Sequence, residues 1–407
     1  MIYPSLNLDA RLYLNDSNGK PSIATFTRAS AATCFDAVGK LVSASSGVLR
    51  HDFDPLTGAY LGWLIEEART NLLLRSAEFG TSWNVIYVTV GTNAAVAPDG
   101  TTTADSIVET TDNGVHIIHQ AAAGTASNQH SLTIYAKAMA SARRFILDLD
   151  DNGGNGCRAT FDVSAGTVAS VTTTGNGSTP VGSITPVGNG WYRCRISGIP
   201  NTGGGATVRG IVRLINGGGS DSYAGDGASG VYLWGGQLEA GSIPTSYIAT
   251  AGSQVTRAAD LLTVATSAFA YNQAEGTLLV RFDAPATAVV PAVLYADNNN
   301  FAAFDITSPY KARGVVTAGG SGVATLADGV FAAGVQTAAA LAYKLNDFAL
   351  SVNGATPVTD GAGAVPSAAS ALHIGAFNGA SIINGHIRHI AYFPRRLVNA
   401  ELQDISR

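Results

Sequence analysis

A run of hard oxygen donors, Asp148-Leu149-Asp150-Asp151-Asn152-Gly153, is the first candidate for chemistry. Its spacing matches the opening of a calcium loop, in which alternate carboxylate and amide oxygens converge around a glycine turn and replace the water shell of the cation. The bidentate Glu that closes such a loop is missing, because Ala159 stands in its place. Asp148, Asp150 and Asn152 are the candidate Ca2+ ligands. The competing reading is an ordinary Asp/Asn/Gly turn between strands, with no cofactor required.

Other candidate chemistry is sparser. His116 and His119, like His386 and His389, sit three apart. On a regular strand that spacing sends the side chains to opposite faces, which argues against a shared metal. Glycoside hydrolysis needs two carboxyl groups flanking one sugar bond. Glu66, Glu67, Asp148, Asp150 and Glu239 are available, but nothing in their spacing marks a pair. Neither a nucleophile elbow nor a phosphate-cradling loop is present, so the chain reads as a binding protein and not an enzyme.

Sugar binding asks for aromatic faces and for amides or carboxylates that pair with hydroxyls. Trp83, Tyr87, Tyr223 and Tyr310 lie near turn signals, and Asp297, Asn298, Asn299 and Asn300 form a dense polar cluster on an expected loop. These are the candidate glycan-binding residues. Against this, loop aromatics also serve as packing residues, and an Asn run is also a plain turn.

The elements that must hold these residues are strands. Of 407 residues, 47 are Gly and only 13% are charged, against about 25% in average chains. Ala, Gly, Ser, Thr and Val in place of Lys and Glu favour short strands and tight turns over long amphipathic helices. Leu132, Ile134 and Ala136 alternate with Thr133, Tyr135 and Lys137; Val208, Val212 and Leu214 oppose Arg209 and Arg213; Leu278, Val280 and Phe282 oppose Thr277 and Arg281. One apolar and one wet face per strand is the pattern of an antiparallel sandwich. Asn353-Gly354 marks a hairpin, and Asn399, Glu401, Leu402 and Ile405 mark a short C-terminal helix capped by Asn399.

A net charge of −5 without a basic cluster sets nucleic acid aside. The first residues lack the pattern of a secretory signal, and no apolar run approaches a membrane span. Cys34, Cys157 and Cys194 are odd in number and widely spaced. They fit folding in a reducing cytoplasm better than a disulfide framework.

Three stretches together resemble phage and prophage tail or appendage proteins. The first is Phe26-Thr27-Arg28-Ala29-Ser30 with Leu49-Arg50-His51-Asp52 and Ile65-Glu66-Glu67-Ala68-Arg69-Thr70-Asn71. The second is Gly190-Trp191-Tyr192-Arg193-Cys194 with Leu233-Trp234-Gly235-Gly236-Gln237 and Thr256-Arg257-Ala258-Ala259-Asp260, similar to a carbohydrate-binding-module-like sandwich. The third runs from Ala342-Tyr343-Lys344 to Phe393-Pro394-Arg395-Arg396-Leu397 and is similar to a concanavalin-A-like or laminin-G-like jelly roll.

The resemblance implies a virion-surface protein made in the host cytoplasm and adhesive toward host polysaccharide. The expected architecture is all-β: an extended N-terminal arm (1–74) that docks on other virion proteins, two jelly-roll β-sandwich domains (75–260 and 261–407) and the short helix. Arg69, between Glu66/Glu67 and Asn71, is expected to tie the arm to the sandwich. A homo-oligomer is expected, a trimer above all; without coiled-coil heptads it would form through the sandwiches or the arm. The rival functions are a purely structural decoration protein and a polysaccharide depolymerase, which would need two carboxylates facing a cleft.

Overall fold

The computed structural model describes residues 3–11, 18–285, 288–308 and 310–407. The chain is all-β, with two sandwiches of antiparallel sheets and, among the described residues, one α-helix, Asn399–Ile405. In the middle sandwich one six-stranded sheet runs Ser178–Pro186, Trp191–Ile199, His130–Ala138, Gly230–Ala240, Ala104–Glu109, Val88–Ala95. The other runs Thr167–Thr174, Gly156–Asp162, Arg144–Asp150, Thr207–Ile215, Ile117–Ala123, Asn84–Ile86. Leu132, Ile134 and Ala136 from the first meet Phe145, Leu147, Leu149 and Val212 from the second in one core, as their alternation requires.

The first sheet departs from the simple pattern, because its other face is also covered. Tyr135, Trp191, Trp234 and Tyr247 form a second apolar layer with Leu41 of the hairpin Ala32–Phe35/Leu41–Ala44. Gly235 makes this possible. It adopts φ +64°, and a Cβ there would lie 2.9 Å from the Tyr135 ring.

The C-terminal sandwich pairs a seven-stranded sheet (Ala24–Thr27, Leu261–Ala265, Ala371–Ile374, Ala292–Asp297, Asn300–Thr307, Lys311–Ala318, Ser321–Val330) with an eight-stranded one. The eight-stranded sheet contains Glu275–Asp283 and Gly385–Phe393, and also Leu6–Asp9, Arg50–Phe53 and Tyr60–Ile65. Four strands of the segment 1–74, expected as an extended arm, are therefore built into this sandwich, while its hairpin Ala32–Phe35/Leu41–Ala44 covers the middle one. Leu6, Leu8, Phe26, Trp63 and Ile65 lie in its core, and Leu6–Asp9 and Tyr60–Ile65 both pair with Gly385–Phe393. The physical reason is alternation in strands too short to read by period: Leu6 and Leu8 are buried while Asn7 is exposed.

The helix docks on the eight-stranded sheet through Leu402 and Ile405, against Leu279, Ala340 and Ala391. Its cap is Val398 and not Asn399; the Glu401 carboxylate accepts the Val398 N–H at 3.1 Å. Asn353 and Gly354 both take positive φ in the expected turn. The three cysteines are buried and free.

The scattered motifs Thr27-Arg28, Leu49-Arg50, Glu66-Glu67 and Arg257-Ala258-Ala259-Asp260 converge on one buried ionic cluster at the junction of the sandwiches. Arg28 Nη1 lies 3.0 Å from Asp260 Oδ1, Arg50 Nη1 lies 2.7 Å from Glu66 Oε2, and Arg50 Nη2 lies 2.5 Å from Asp260 Oδ2. Arg257 stands 3.6 Å from Glu66 and 3.7 Å from Asp260. The side chains of Arg28, Arg50, Arg257 and Asp260 have no exposed surface. Burial works against the Glu66 charge, but Arg257 and Arg50 outweigh it and hold the carboxyl well below the usual range. Ser30, Thr33 and Ser45 carbonyls take further guanidinium protons. Arg69 contributes as expected but at the rim, donating to Glu67 Oε1 at 2.5 Å and to the Ala240 carbonyl.

Candidate functional site

The outward face of the seven-stranded sheet carries a group of partly exposed rings. In Ala292–Asp297, Ala292 and Leu294 enter the core, which turns Tyr295 outward. In Asn300–Thr307, Ala302, Phe304 and Ile306 enter the core, which turns Phe301 and Asp305 outward. Phe377, on the loop after Ala371–Ile374, folds back over this face. Its ring centroid lies 4.9 Å from Phe301 and 5.6 Å from Tyr295, and Tyr295 lies 5.0 Å from His373.

Beside these rings is a shallow groove of about 290 Å³, walled by Phe301 and Phe377 and floored by Asp305, Arg313, Thr325 and Ser381. Asp305 and Arg313 face each other across paired strands and share two hydrogen bonds, one of 2.8 Å. Both stay partly open, at 25% and 34% side-chain exposure. Burial pushes the neighbouring His373 below its ordinary value and favours the neutral imidazole. Apolar ring faces next to a donor–acceptor pair and two hydroxyls can hold a pyranose: the rings take its C–H face and the polar groups take its hydroxyls.

The predicted polar cluster forms the rim of this patch. Asn298 Oδ1 accepts the Tyr295 hydroxyl at 2.8 Å, and Asn378 Nδ2 donates to the same hydroxyl at 3.0 Å. Asp297 Oδ1 accepts the Asn299 N–H at 2.7 Å and Asn300 Nδ2 at 3.1 Å, so the run is also a true turn. Asn300 Oδ1 accepts Gly319 N–H at 3.0 Å and tethers the hairpin to its neighbour.

The predicted aromatics do not join this patch. Trp83 is 7% exposed, packs against Phe79 and donates its indole N–H to the Arg75 carbonyl. Tyr223 is 8% exposed and gives its hydroxyl to buried Glu109, which also holds Arg143. Both are packing residues. Tyr87 is exposed at positive φ, with its carbonyl bound by His116. Tyr310 is half-buried in a different groove, between the sandwiches. Tyr295, Phe301, His373 and Phe377 were missed. The available signal was Phe301 and Phe304, whose three-residue spacing on a strand must expose one ring.

The acidic run is an ion-pair ladder in place of the expected calcium loop. Asp148 and Asp150 lie two apart on Arg144–Asp150 and so share its outward face. Arg158 and Arg213 reach Asp148 at 2.9 and 3.3 Å, and Arg209 grips Asp150 with bonds of 2.7 and 2.6 Å. Asn152 offers its backbone N–H, not its side chain, to Asp150. Among the described residues no group of three or more His, Cys, Asp and Glu side chains could hold a metal.

The histidine geometry also departs from regular alternation. A bulge in Gly385–Phe393 lets Ile387 and Ile390, three apart, both enter the core. His386 and His389 consequently leave the same side, yet have separate partners. His386 bridges Asp52 at 2.9 Å and Asp283 at 3.0 Å, while His389 contacts Asn7.

A cleft of about 970 Å³ lies between the hairpin Ala32–Phe35/Leu41–Ala44 and the middle sandwich. Its carboxylates serve local structure. Asp105 accepts Phe79 and Asn93 N–H groups, Asp99 caps Thr101, and Glu78 pairs with Arg75. Glu239, another hydrolase candidate, is fully buried and bound by Gln237 and Thr245.

No family model matches the chain, and no curated protein matches its sequence. Among solved structures it is similar to the CBM40 of the Ruminococcus gnavus IT-sialidase bound to α2,3-sialyllactose, at 16% identity over 33% of this chain and 84% of that one, TM-score 0.29. It is also similar to domains LG4-5 of the mouse laminin α1 chain, at 10% identity over 83% of this chain and 91% of that one, TM-score 0.26. A third similarity is to a Trypanosoma rangeli sialidase, at 10% identity over 74% of this chain and 60% of that one, TM-score 0.26.

Proposed function

We propose that this chain is a glycan-binding protein whose sugar site is the outward aromatic patch of the C-terminal sandwich. The observation that carries this reading is the contiguous set of half-exposed rings Tyr295, Phe301 and Phe377 next to the Asp305–Arg313 pair. Partly exposed rings beside a partly exposed ion pair and the Thr325 and Ser381 hydroxyls suit a flat polyhydroxyl ligand. A single shallow site of this size binds weakly, and several copies on one particle raise avidity steeply. The ordered motifs of the chain support the finer reading, a phage tail-fibre or spike-like appendage that attaches to host surface polysaccharide as a homo-oligomer, trimeric above all, at the virion surface.

The test is binding of the purified chain to bacterial cells with and without their surface polysaccharide, with released sugar assayed in parallel. Saturable binding that disappears with the polysaccharide and falls in Phe377→Ala supports the reading. Failure to bind even when presented multivalently turns the assignment to virion decoration, and released sugar turns it to a depolymerase.

A further inference from the structure

A second groove, of about 480 Å³, lies between the two sandwiches. Gln129, Thr179, Arg195 and Ser197 line it from the middle sandwich, and Pro285 and Tyr310 line it from the C-terminal one. Among the described residues no carboxylate lines it, and Arg195 is its one charged group. Arg195 Nε donates to Ser197 Oγ at 2.7 Å and Nη2 donates to the Ser242 carbonyl. These bonds fix the plane of the guanidinium and leave Nη1 without a protein acceptor among the described residues. No carboxylate comes within ion-pair distance of Arg195 there either. Burial first, and then the neighbouring cation Arg193, pull Arg195 below its ordinary value, while Tyr310 acts in the opposite sense. A half-buried cation oriented by neutral groups is electrostatically unfinished, unlike Arg158, Arg209 and Arg213 on the ion-pair ladder.

We infer that this groove binds the carboxylate of an acidic sugar unit, with Arg195 as its anion-recognising residue. The inference rests on the glycan reading and specifies it: the ligand class becomes polysaccharide carrying uronate or sialate groups. The groove volume falls within the roughly 300–1,000 Å³ usual for small-ligand sites. Around the guanidinium stand hydroxyl and amide groups suited to the rest of a sugar ring. Thr179 offers its hydroxyl, buried Ser197 serves to orient Arg195, and Gln129, whose Nε2 is bound to Thr179 Oγ1 at 2.7 Å, keeps Oε1 for a sugar hydroxyl. The Tyr310 hydroxyl, donating to the Pro285 carbonyl at 2.8 Å, keeps a lone pair for another. Two separate contact zones, an aromatic patch and an anion groove, would let one chain engage two units of a long polymer.

The experiment is calorimetric titration of the full chain with a galacturonate trisaccharide and with a sialylated trisaccharide, each as free acid and as methyl ester. The free acid is expected to bind at least tenfold more tightly than its ester. Arg195→Gln is expected to erase that preference and Arg195→Lys to keep part of it. Gln129→Glu, which puts a carboxylate into the groove while leaving Arg195 intact, is expected to erase it as well, and it covers the case of a poorly folded Arg195 variant. No preference for acid over ester in the unmodified chain, or a preference that persists in both Arg195→Gln and Gln129→Glu, overturns the inference. Cell binding that is lost in Phe377→Ala, together with indifference between acid and ester, would leave the aromatic-patch assignment standing while this one falls.

Discussion

On the outward face of the middle sandwich, Asp148 and Asp150 are matched to Arg158, Arg213 and Arg209. On the outward face of the C-terminal sandwich, Tyr295, Phe301, His373 and Phe377 stand half-exposed beside one ion pair, Asp305–Arg313. Both faces belong to antiparallel sheets of similar size, yet one is covered by charged side chains and the other by partly exposed rings. A carboxylate buried beneath two guanidiniums is out of reach of an added ligand. A ring patch loses nothing by being covered and gains the free energy of apolar burial. Sequence composition ranks these faces in the wrong order, because the acidic run draws attention as a ligand set.

The closed style of construction reaches its extreme at the junction, where Asp260 serves Arg28 and Arg50 and also accepts the Glu66 N–H at 2.9 Å. Asp260→Ala leaves buried guanidiniums without a counter-charge and is expected to cost about 3–5 kcal/mol. Thermal unfolding checks this. A melting point within a degree or two of the unmodified chain would mean that self-satisfied charge does not hold the sandwiches together.

His386 extends the same style to a pH-dependent contact. Burial opposes its charge, but Asp283 and Asp52 dominate and raise it from 6.5 to about 10. Because the folded value exceeds the unfolded one, the stabilisation is complete below about pH 6.5 and is lost as pH climbs through about 10. Stability should therefore fall between these pH values, and His386→Gln should flatten that slope at a cost of about 2–3 kcal/mol near neutrality. Denaturant midpoints measured from pH 6 to 10 decide it; parallel curves for the two proteins would refute the assignment.

The ladder itself gives a milder effect. Asp148→Ala frees Arg158 and Arg213, which are 29% and 12% exposed and can turn toward water, so the expected loss is about 2 kcal/mol. Sugar affinity should not change. Millimolar Ca2+ should leave the melting point of the unmodified chain where it is; a clear upward shift would show that the face opens to a cation after all.

What could be read from residues alone follows from how far apart the partners lie. The strands, their faces and the docked helix were legible because Leu132/Ile134/Ala136 or Leu278/Val280/Phe282 carry their orientation in a local period. The insertion of Leu6–Asp9 and Ala24–Thr27 into the C-terminal sandwich was not, since Leu6 pairs with Tyr392 and Ala24 with Val264 across most of the chain. The Asp297–Asn300 cluster was found at the rim of the patch. Its rings were not, because Phe377 reaches Phe301 through a returning loop that no spacing announces. Asp148 and Asp150 misled for the same reason: Arg209 and Arg213, their partners, sit on a strand about sixty residues on.

The sharpest probe of the open face is Phe377→Ala. The ring contacts both Phe301 and Tyr295 but caps the sheet from a loop, outside the main apolar core. Its loss should weaken polysaccharide binding about tenfold, equivalent to about 1.4 kcal/mol, with a melting point close to that of the unmodified chain. The opposite result, lower stability with unchanged affinity, would make this face a closed one like its counterpart and dissolve the contrast.

Asn298→Ala is expected to have the smallest effect. The side chain is exposed and accepts one hydrogen bond, from the Tyr295 hydroxyl. That hydroxyl keeps its bond from Asn378 Nδ2 when Asn298 is truncated, so the ring loses one of two tethers and stays under Phe377. A rim contact of this kind contributes about 0.5 kcal/mol, or roughly a twofold change in affinity. Titration against the same polysaccharide separates the alternatives. A twofold change makes the amides a rim around an aromatic site. A loss as large as that of Phe377→Ala would instead place the ligand on the Asp297–Asn300 turn itself, with the rings serving only to support it.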